Sequence, residues 1–503
     1  MSEIHIEKLM EMKAYGGARK TLGLAESVIC QHIPNHPKLV AAIDEAYVYH
    51  QELRGICGNE LALDEVALIE KLQQGYLNFY GPAAVNPYVA LGARGPWVVT
   101  SHGAVLHDSG GYGMLGNGHG PDYVIDAMSN NWVMANVMTA SFSQKRFAEC
   151  LKAEIGHNRA TGFPYHQIVC LNSGSEAVSV ATRICDINAK SKTDSGARHA
   201  GRTIKILSLA GAFHGRTDRP AQISDSSIGT YRDTMASFRD RDNLITVNPN
   251  DVEGLKQAFV DADNNNIFIE AVFIEPVMGE GVPGRALERG FYDWARKLTL
   301  KHGSLLVIDS IQAGFRGTGN LSITDYPGFE DCDVPDMETY SKALNAGQYP
   351  FSVLALSSNA SKHYVRGVYG NTMTTNPRAL EAASAVLENI TEEIRCNIRD
   401  RGVEFVAKLK QLAEEIPGVI TQVEGTGLLL CVELDPDRLR VVGFGGVEEY
   451  CRTQGIGVIH GGKNALRFTP HFTLTSEEID LIIGVVRSAL THLLTKADGS
   501  PHM

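Results

Sequence analysis

The stretch from Gly303 to Leu356 constrains this chain more than any other. It reads GSLLVIDSIQAGFRGTG, passes through an irregular acidic segment and resumes as DMETYSKALNAGQYPFSVLAL. The apolar run Leu305 to Ile308 is too short for a free-standing helix, and Gly303 and Asp309 bound it. Such a run predicts a fully buried strand of a parallel sheet, with Asp309 at its carboxyl end. That rim is where open α/β sheets bind ligands. Lys342 follows Thr339-Tyr340-Ser341, and the small residues up to Gly347 let a lysine be buried without crowding. A buried lysine loses its charge readily and forms Schiff bases with aldehydes, while a carboxylate can hold a ring nitrogen protonated. Taken singly, Lys342 reads as a surface lysine and Asp309 as a strand-end cap, so the surrounding words must decide.

With 503 residues and 44% hydrophobic content, the chain suits one large domain with a smaller partner. No run of about 18 apolar residues appears, and MSEIHIEKLMEMK lacks the apolar core of a secretory signal, so the cytoplasm is the expected compartment. Nine scattered cysteines without a CxxC pair point to reduced thiols rather than to disulfides or zinc. A net charge of -12 without any basic block speaks against nucleic acid and anionic membrane as partners. His102, His107, His119, His157 and His166 include no helical His-x-x-x-His pair, and no metal is expected.

Residues 1 to 85 carry apolar positions at three- and four-residue steps, as in HPKLVAAIDEAYVYHQELRGI and LDEVALIEKLQQGYLNFY. These read as amphipathic helices packing against the large domain or a partner subunit. From Trp97 the pattern shifts to short extended runs that lead to Asp108, a glycine-rich loop from Gly110 to Gly113, and Gly118-His119. The run Ile168 to Leu171 then enters Asn172-Ser173-Gly174-Ser175-Glu176-Ala177 and a helix. Amides at such a helix start, with the positive end of its dipole, suit a phosphate. After Ile204 to Leu209 comes Gly211-Ala212-Phe213-His214-Gly215-Arg216-Thr217. Phe213 offers a flat apolar wall, and Arg216 a fork that matches a carboxylate. Further on stand Glu275-Pro276-Val277-Met278-Gly279-Glu280-Gly281, then Thr372 four residues before Asn376-Pro377, then Leu466-Arg467-Phe468-Thr469-Pro470. A final helix opens at a Thr475/Ser476 cap, and the closing KADGSPHM reads as a disordered tail. Alternating strands and helices in the middle third predict an α/β fold with a doubly wound, mainly parallel sheet.

In this order the words resemble those of the class III (omega-type) aminotransferases, pyridoxal phosphate enzymes of fold type I. The resemblance rests on Asp309-Ser310-Ile311-Gln312-Ala313-Gly314, Ser341-Lys342-Ala343-Leu344, the Glu275 to Gly281 word and the Arg467 word. Ser310 departs from the family's usual glutamate, and Arg316-Gly317 inverts its more common Gly-Arg. The resemblance implies that Lys342 and Asp309 are catalytic, Lys342 holding pyridoxal 5'-phosphate and Asp309 keeping its ring protonated. It implies that Gly174, Ser175, Phe213, His214, Gln312 and Thr372 bind the cofactor, Thr372 reaching that of the neighbouring subunit of a homodimer. Tyr112 and Arg216 then face the substrate, and Glu280 releases or holds Arg467 so that one pocket takes both an amine donor and a 2-oxo acid. The implied layout is a helical extension over 1–85, a small-domain segment over 86–120, a large cofactor-binding domain over 121–380, a small α+β domain over 381–494 and a tail over 495–503. Donors carrying a remote carboxylate, such as ornithine, acetylornithine, lysine or 4-aminobutyrate, fit this set. A racemase or aminomutase of the same fold, or a non-catalytic binding protein on it, stays open at this point.

Overall fold

The structure, a computed structural model, describes residues 2–111 and 113–499. Two compact units emerge. The larger comprises residues 122–400 and 425–429, and the smaller comprises 1–121, 401–424 and 430–503. Residues 381–400 therefore go with the larger unit rather than with the small domain. Inside the larger unit, helix Pro377–Asn389 is tied to helix Phe142–Glu154 by Arg146, which meets Glu381 at 2.6 Å and Glu388 at 2.7 Å.

Seven strands form the sheet of the larger unit, in the order Gln167–Leu171, Ser352–Leu356, Met337–Tyr340, Leu305–Asp309, Ile267–Ile274, Thr203–Leu209, Leu244–Val247. Only Ser352–Leu356 runs against its neighbours; the other pairings are parallel. The central runs are apolar on both faces because helices cover both. Leu306 and Ile308 pack on one side with Leu255, Phe259 and Phe291, from helices Val252–Asn264 and Arg289–His302. Leu305 and Val307 pack on the other with Ala177, Ala181 and Ile184 of helix Gly174–Thr193. This two-residue alternation between two buried faces is what a doubly wound sheet requires. The words ending in Asp309, Thr217, Gly281 and Lys342 all follow carboxyl ends of neighbouring parallel strands, so topology alone gathers them at one rim.

In the smaller unit, strands Ala90–Arg94, Trp97–Thr100, Val105–Asp108 and Ile456–Gly457 make one sheet. Strands Ile420–Thr426, Leu429–Leu434, Ala465–Phe468 and Ile459–Gly461 make another. The amino-terminal segment forms four helices, Ser2–Tyr15, Glu26–His32, Pro37–Leu61 and Glu65–Gln73. They belong to this unit and are no separate extension. Helix Pro37–Leu61 lies on the first strand, so closely that a side chain at Gly92 would come within 2.8 Å of Ala46. The last helix, Ser476–Gly499, continues through residues 495–499, where a disordered tail was expected. It carries a long buried stripe (Ile479, Ile482, Val486, Leu490) and meets no glycine or proline between Gly484 and Gly499 that would end it. Residues 500–503 lie outside the described residues. Among the described residues no helix is long and apolar enough to cross a membrane, and all nine cysteines are free.

Candidate active site

Asp309 ends a strand buried at every position and is itself 3% exposed. One carboxylate oxygen meets His214 Nδ1 at 2.8 Å; the other accepts from Thr339 Oγ1 at 3.0 Å and from the Ile311 amide at 3.2 Å. Thr339 is the residue paired with Asp309 across the parallel strands. His214 Nε2 lies 3.1 Å from Ser208 Oγ, and the His214 amide donates to Ser224 Oγ at 2.9 Å. Burial acts to lower the His214 pKa, but the Asp309 hydrogen bond and charge outweigh it and raise the value. The result is a carboxylate fixed by three donors and oriented along the rim.

Phe213, one residue earlier, donates its amide to Glu275 Oε2 at 3.2 Å, while the Gly279 amide donates to Oε1 at 3.0 Å. Burial pushes the Glu275 carboxyl up to about 7. Glu275 thus locks the Phe213 loop to the Glu275–Gly281 loop. The two approach so closely that a side chain at Gly281 would come within 2.6 Å of the Gly211 backbone. Arg216 is exposed, with its guanidinium 5.4 Å from the Phe213 ring centroid. Glu280 is half-buried in the facing loop.

Lys342 follows strand Met337–Tyr340 and opens a short turn, Lys342–Asn345. Its φ of 47° is left-handed, a region a lysine enters at a cost of about 1–3 kcal/mol unless its surroundings impose it. Those surroundings are present. Ser341 Oγ donates to the Phe351 carbonyl at 2.7 Å, and Asn345 Nδ2 donates to the same oxygen at 3.0 Å. The half-buried lysine is therefore presented from a pinned, strained turn.

Helix Gly174–Thr193 is capped by Ser173, whose hydroxyl accepts from the Glu176 amide at 3.2 Å. By the geometry of a helix start, the amides of Gly174 and Ser175 remain as its open donors. Gly215 lies against Ser175, with φ 115° and so little room that a Cβ there would sit 2.2 Å from Ser175 Oγ. Gln312 is buried, and its Oε1 has no hydrogen-bond partner among the described residues. A phosphate at the helix start and a hydroxylated ring near Gln312 would satisfy both features. Together with the Asp309 carboxylate and the Phe213 wall, the residues present fit pyridoxal phosphate.

Ser310 stands where similar enzymes carry a glutamate. Its hydroxyl donates to Glu338 Oε1 at 2.5 Å, and Glu338 also accepts from Ser322 Oγ and Tyr165 Oη, each at 2.6 Å, and from the Ile323 amide at 2.9 Å. The buried carboxylate comes here from the neighbouring strand, where Glu338 pairs with Ile308. Arg316, of the inverted Arg-Gly, is fully buried and donates to the Leu428 carbonyl at 3.1 Å.

The remaining expected residues are placed as follows. Thr372 is exposed, and its carbonyl accepts from Asn136 Nδ2 at 3.2 Å. It lines a cavity of about 870 Å³ with Val137, Met138, Phe147 and Tyr369; Gly174, Asp309 and Gln312 do not line that cavity. Next to it, Asn371 Nδ2 donates to Glu176 Oε1 at 2.9 Å. Arg467, in the smaller unit, is buried on strand Ala465–Phe468 opposite Cys431 and Ile459. In that unit the Gly113 amide donates to Thr469 Oγ1 at 3.2 Å, so the glycine-rich loop is tied to the Arg467 word. Asp108 meets His119 Nε2 at 3.0 Å. Tyr112 lies outside the described residues. Thr339, Ser208, Glu275 and Glu338 were missed by sequence reasoning. Thr339 alone had a signal, since it lies three residues before Lys342 in the strand beside Asp309.

The aminotransferase class-III family profile matches residues 80–490. The chain is similar to the acetylornithine aminotransferase of Xylella fastidiosa, 28% identical over 438 residues that cover 85% of this chain and 98% of that one. It is similar to the LysW-aminoadipate semialdehyde/glutamate semialdehyde transaminase of Sulfolobus acidocaldarius, 27% identical over 392 residues, 78% of this chain and 91% of that one. Among solved structures, the ornithine aminotransferase of Toxoplasma gondii superposes with a TM-score of 0.71 at 23% identity, over 86% of this chain and 96% of that one, and reports the shared fold. The chain belongs to the class III aminotransferases, pyridoxal phosphate-dependent transaminases with the type I fold.

Proposed function

We propose that the enzyme moves the distal amine of an amino acid bearing a remote carboxylate to a 2-oxo acid, with Lys342, Asp309 and Arg467 as its principal groups. The observation that carries this reading is the Asp309 carboxylate, held by His214, Thr339 and Ile311 at the rim onto which Lys342 opens. When bound, pyridoxal phosphate supplies the electron sink for the pair left on the donor carbon. Asp309 would hold the proton on the ring nitrogen, and His214 keeps the carboxylate aimed. Lys342 would hold the cofactor through its Nζ and, once free, would carry the proton taken from the donor carbon. Gly174 and Ser175 would bind the phosphate, Phe213 would cover the ring face, and Gln312 Oε1 would accept from the ring hydroxyl. Release of an aldehyde in the first half-reaction leaves the amine to be passed to the oxo acid in the second.

For substrate, Arg216 and Arg467 offer guanidinium forks to carboxylates, and Glu280 and Tyr112 complete the expected set. Ornithine, acetylornithine, lysine and 4-aminobutyrate carry the required carboxylate away from the reacting amine, and relatives named for acetylornithine and ornithine support this class. A donor screen against 2-oxoglutarate tests it. One of these four should exceed simple alkyl amines in kcat/KM by about 100-fold or more, as a buried charged contact implies. Equal rates with alkyl amines would overturn the assignment.

We further propose a homodimer in which Thr372 serves the partner's cofactor. Its support is the apolar segment leading into helix Phe142–Glu154, where Val133, Met134, Val137, Met138 and Phe142 are each at least two-thirds exposed and Val137 and Met138 share a cavity with Thr372. Sedimentation of the wild type as a dimer, and of Met138→Glu as an inactive monomer, is the expected result.

A further inference from the structure

Four side chains in the smaller unit converge on a point that the aminotransferase reaction does not use. His107 lies on strand Val105–Asp108, His471 follows the Arg467 word, Glu478 sits in the first turn of the last helix, and His36 is the residue before helix Pro37–Leu61. Glu478 Oε1 is 3.5 Å from His107 Nε2 and 4.0 Å from His36 Nδ1, while Oε2 is 3.2 Å from His471 Nε2. His107, His471 and Glu478 are all buried, and their ligand atoms lie within 4.8 Å of one another.

Glu478 has an ordinary structural duty, which is the capping of its helix. Oε2 accepts from the Thr475 amide at 2.8 Å and from Thr475 Oγ1 at 3.1 Å, and the Glu478 amide donates back to Thr475 Oγ1. A capping carboxylate needs no imidazoles. His107 has no such duty. It is fully buried, and neither of its ring nitrogens has a hydrogen-bond partner among the described residues. Nε2 has only the long 3.5 Å contact with Glu478 Oε1, and an unsatisfied buried polar atom costs about 1–3 kcal/mol, so a cation between Nε2 and the carboxylate would relieve it.

We propose that His107, His471 and Glu478 bind a zinc-type divalent cation, a water completing its coordination. Zinc bonds of about 2.0–2.2 Å place tetrahedral ligand atoms about 3.3–3.5 Å apart, and the carboxylate-to-imidazole separations of 3.2 and 3.5 Å match that edge. The donor set of imidazoles and one carboxylate is a zinc set, not a calcium or magnesium one. Orientation is supplied too: His471 Nδ1 is 3.0 Å from Thr473 Oγ1, which turns Nε2 towards Glu478. Half-buried His36 stands between this point and a second group, His32, His36 and Glu477, that opens towards solvent and offers an entry path. Lys38 is the cation acting against the site, through His471. A bound ion would clamp the strand that ends at Asp108 to the segment that follows Arg467.

The test is the metal content of tag-free holoenzyme after incubation with zinc and exhaustive dialysis. About one zinc per chain is expected, and His107→Phe and Glu478→Gln should each lower retention by at least about tenfold, with His199→Asn as an unaffected control. Should a variant fail to fold, zinc-edge X-ray absorption of the wild type decides. Two or three imidazole nitrogens and a carboxylate oxygen near 2.0–2.2 Å are expected in the first coordination sphere. Sulfur in that sphere, retention unchanged in both variants, or no zinc retained with water alone satisfying His107, would each overturn the proposal. None of these outcomes touches the aminotransferase assignment.

Discussion

Two buried carboxylate–histidine pairs, one in each unit, have the same chemistry and opposite behaviour. In the larger unit Asp309 meets a single imidazole, His214, whose other nitrogen reaches Ser208, so both ring nitrogens and both carboxylate oxygens of that pair have a partner. There the carboxylate wins over burial, and the His214 pKa rises. In the smaller unit Glu478 faces three imidazoles. Burial lowers the His471 pKa despite the carboxylate, and His107 has only the long 3.5 Å contact from Nε2 to Glu478. Burial alone would push Glu478 up, yet the charges and hydrogen bonds of His471 and His107 hold it well below the usual carboxylate range. In the first pair the carboxylate prevails over burial and the raised His214 pKa favours the protonated ring that donates to Asp309. In the second pair burial prevails and the His471 pKa falls, which favours the neutral imidazole that can ligate a metal.

Substitutions can break the first pair and sharpen the contrast. Lys342→Ala removes the proposed proton carrier, and turnover should fall by about 10⁴-fold or more, the upper end for such a group; steady-state rates with the best donor measure it. Asp309→Asn keeps the shape and removes the charge, for an expected loss of about 10²–10³-fold in kcat. Because His214 then loses the stronger of the two carboxylate influences that raise its pKa, that of Glu275 remaining, its titration should move down, which NMR of a histidine-labelled sample would report. Arg467→Lys exchanges a fork for a point charge and should raise the KM for the 2-oxo acid by about 10- to 100-fold while kcat changes less.

The smallest effect is the dependence of stability on pH, and here the two pairs have opposite signs. The folded pKa of His214 is raised, so its contribution is fully present below about 6.5 and lost as pH rises through the folded value. The folded pKa of His471 is lowered, so the folded state resists its protonation and stability falls as pH drops below about 6.5. Melting curves from pH 8 to 5 should therefore lose their alkaline slope in His214→Asn and part of their acid slope in His471→Asn, each by on the order of 1–2 °C.

The first site was legible because its parts are local words hung on successive strands. Asp309, Phe213, Glu280 and Lys342 each follow an apolar run, and parallel topology brings such run-ends together whatever lies between them. Thr339 and Glu338 escaped because strand neighbours are settled by register, which apolar pattern alone does not reveal. The histidine cluster escaped for a stronger reason. His107 was weighed only against histidines nearby in sequence, whereas its companions are His36, His471 and Glu478, brought in by helix packing and a capping turn. The continuation of the last helix past residue 495 was hidden because its polar end reads as a tail until the buried stripe before it is counted.

The most direct test of the account is the visible absorbance of purified holoenzyme, followed as a candidate donor and then 2-oxoglutarate are added. The account predicts that the donor bleaches the absorbance of the lysine-bound cofactor, that the oxo acid restores it, and that Lys342→Ala shows neither change. Isomerised donor with no net bleaching, or a full cycle in the Lys342→Ala protein, would contradict it.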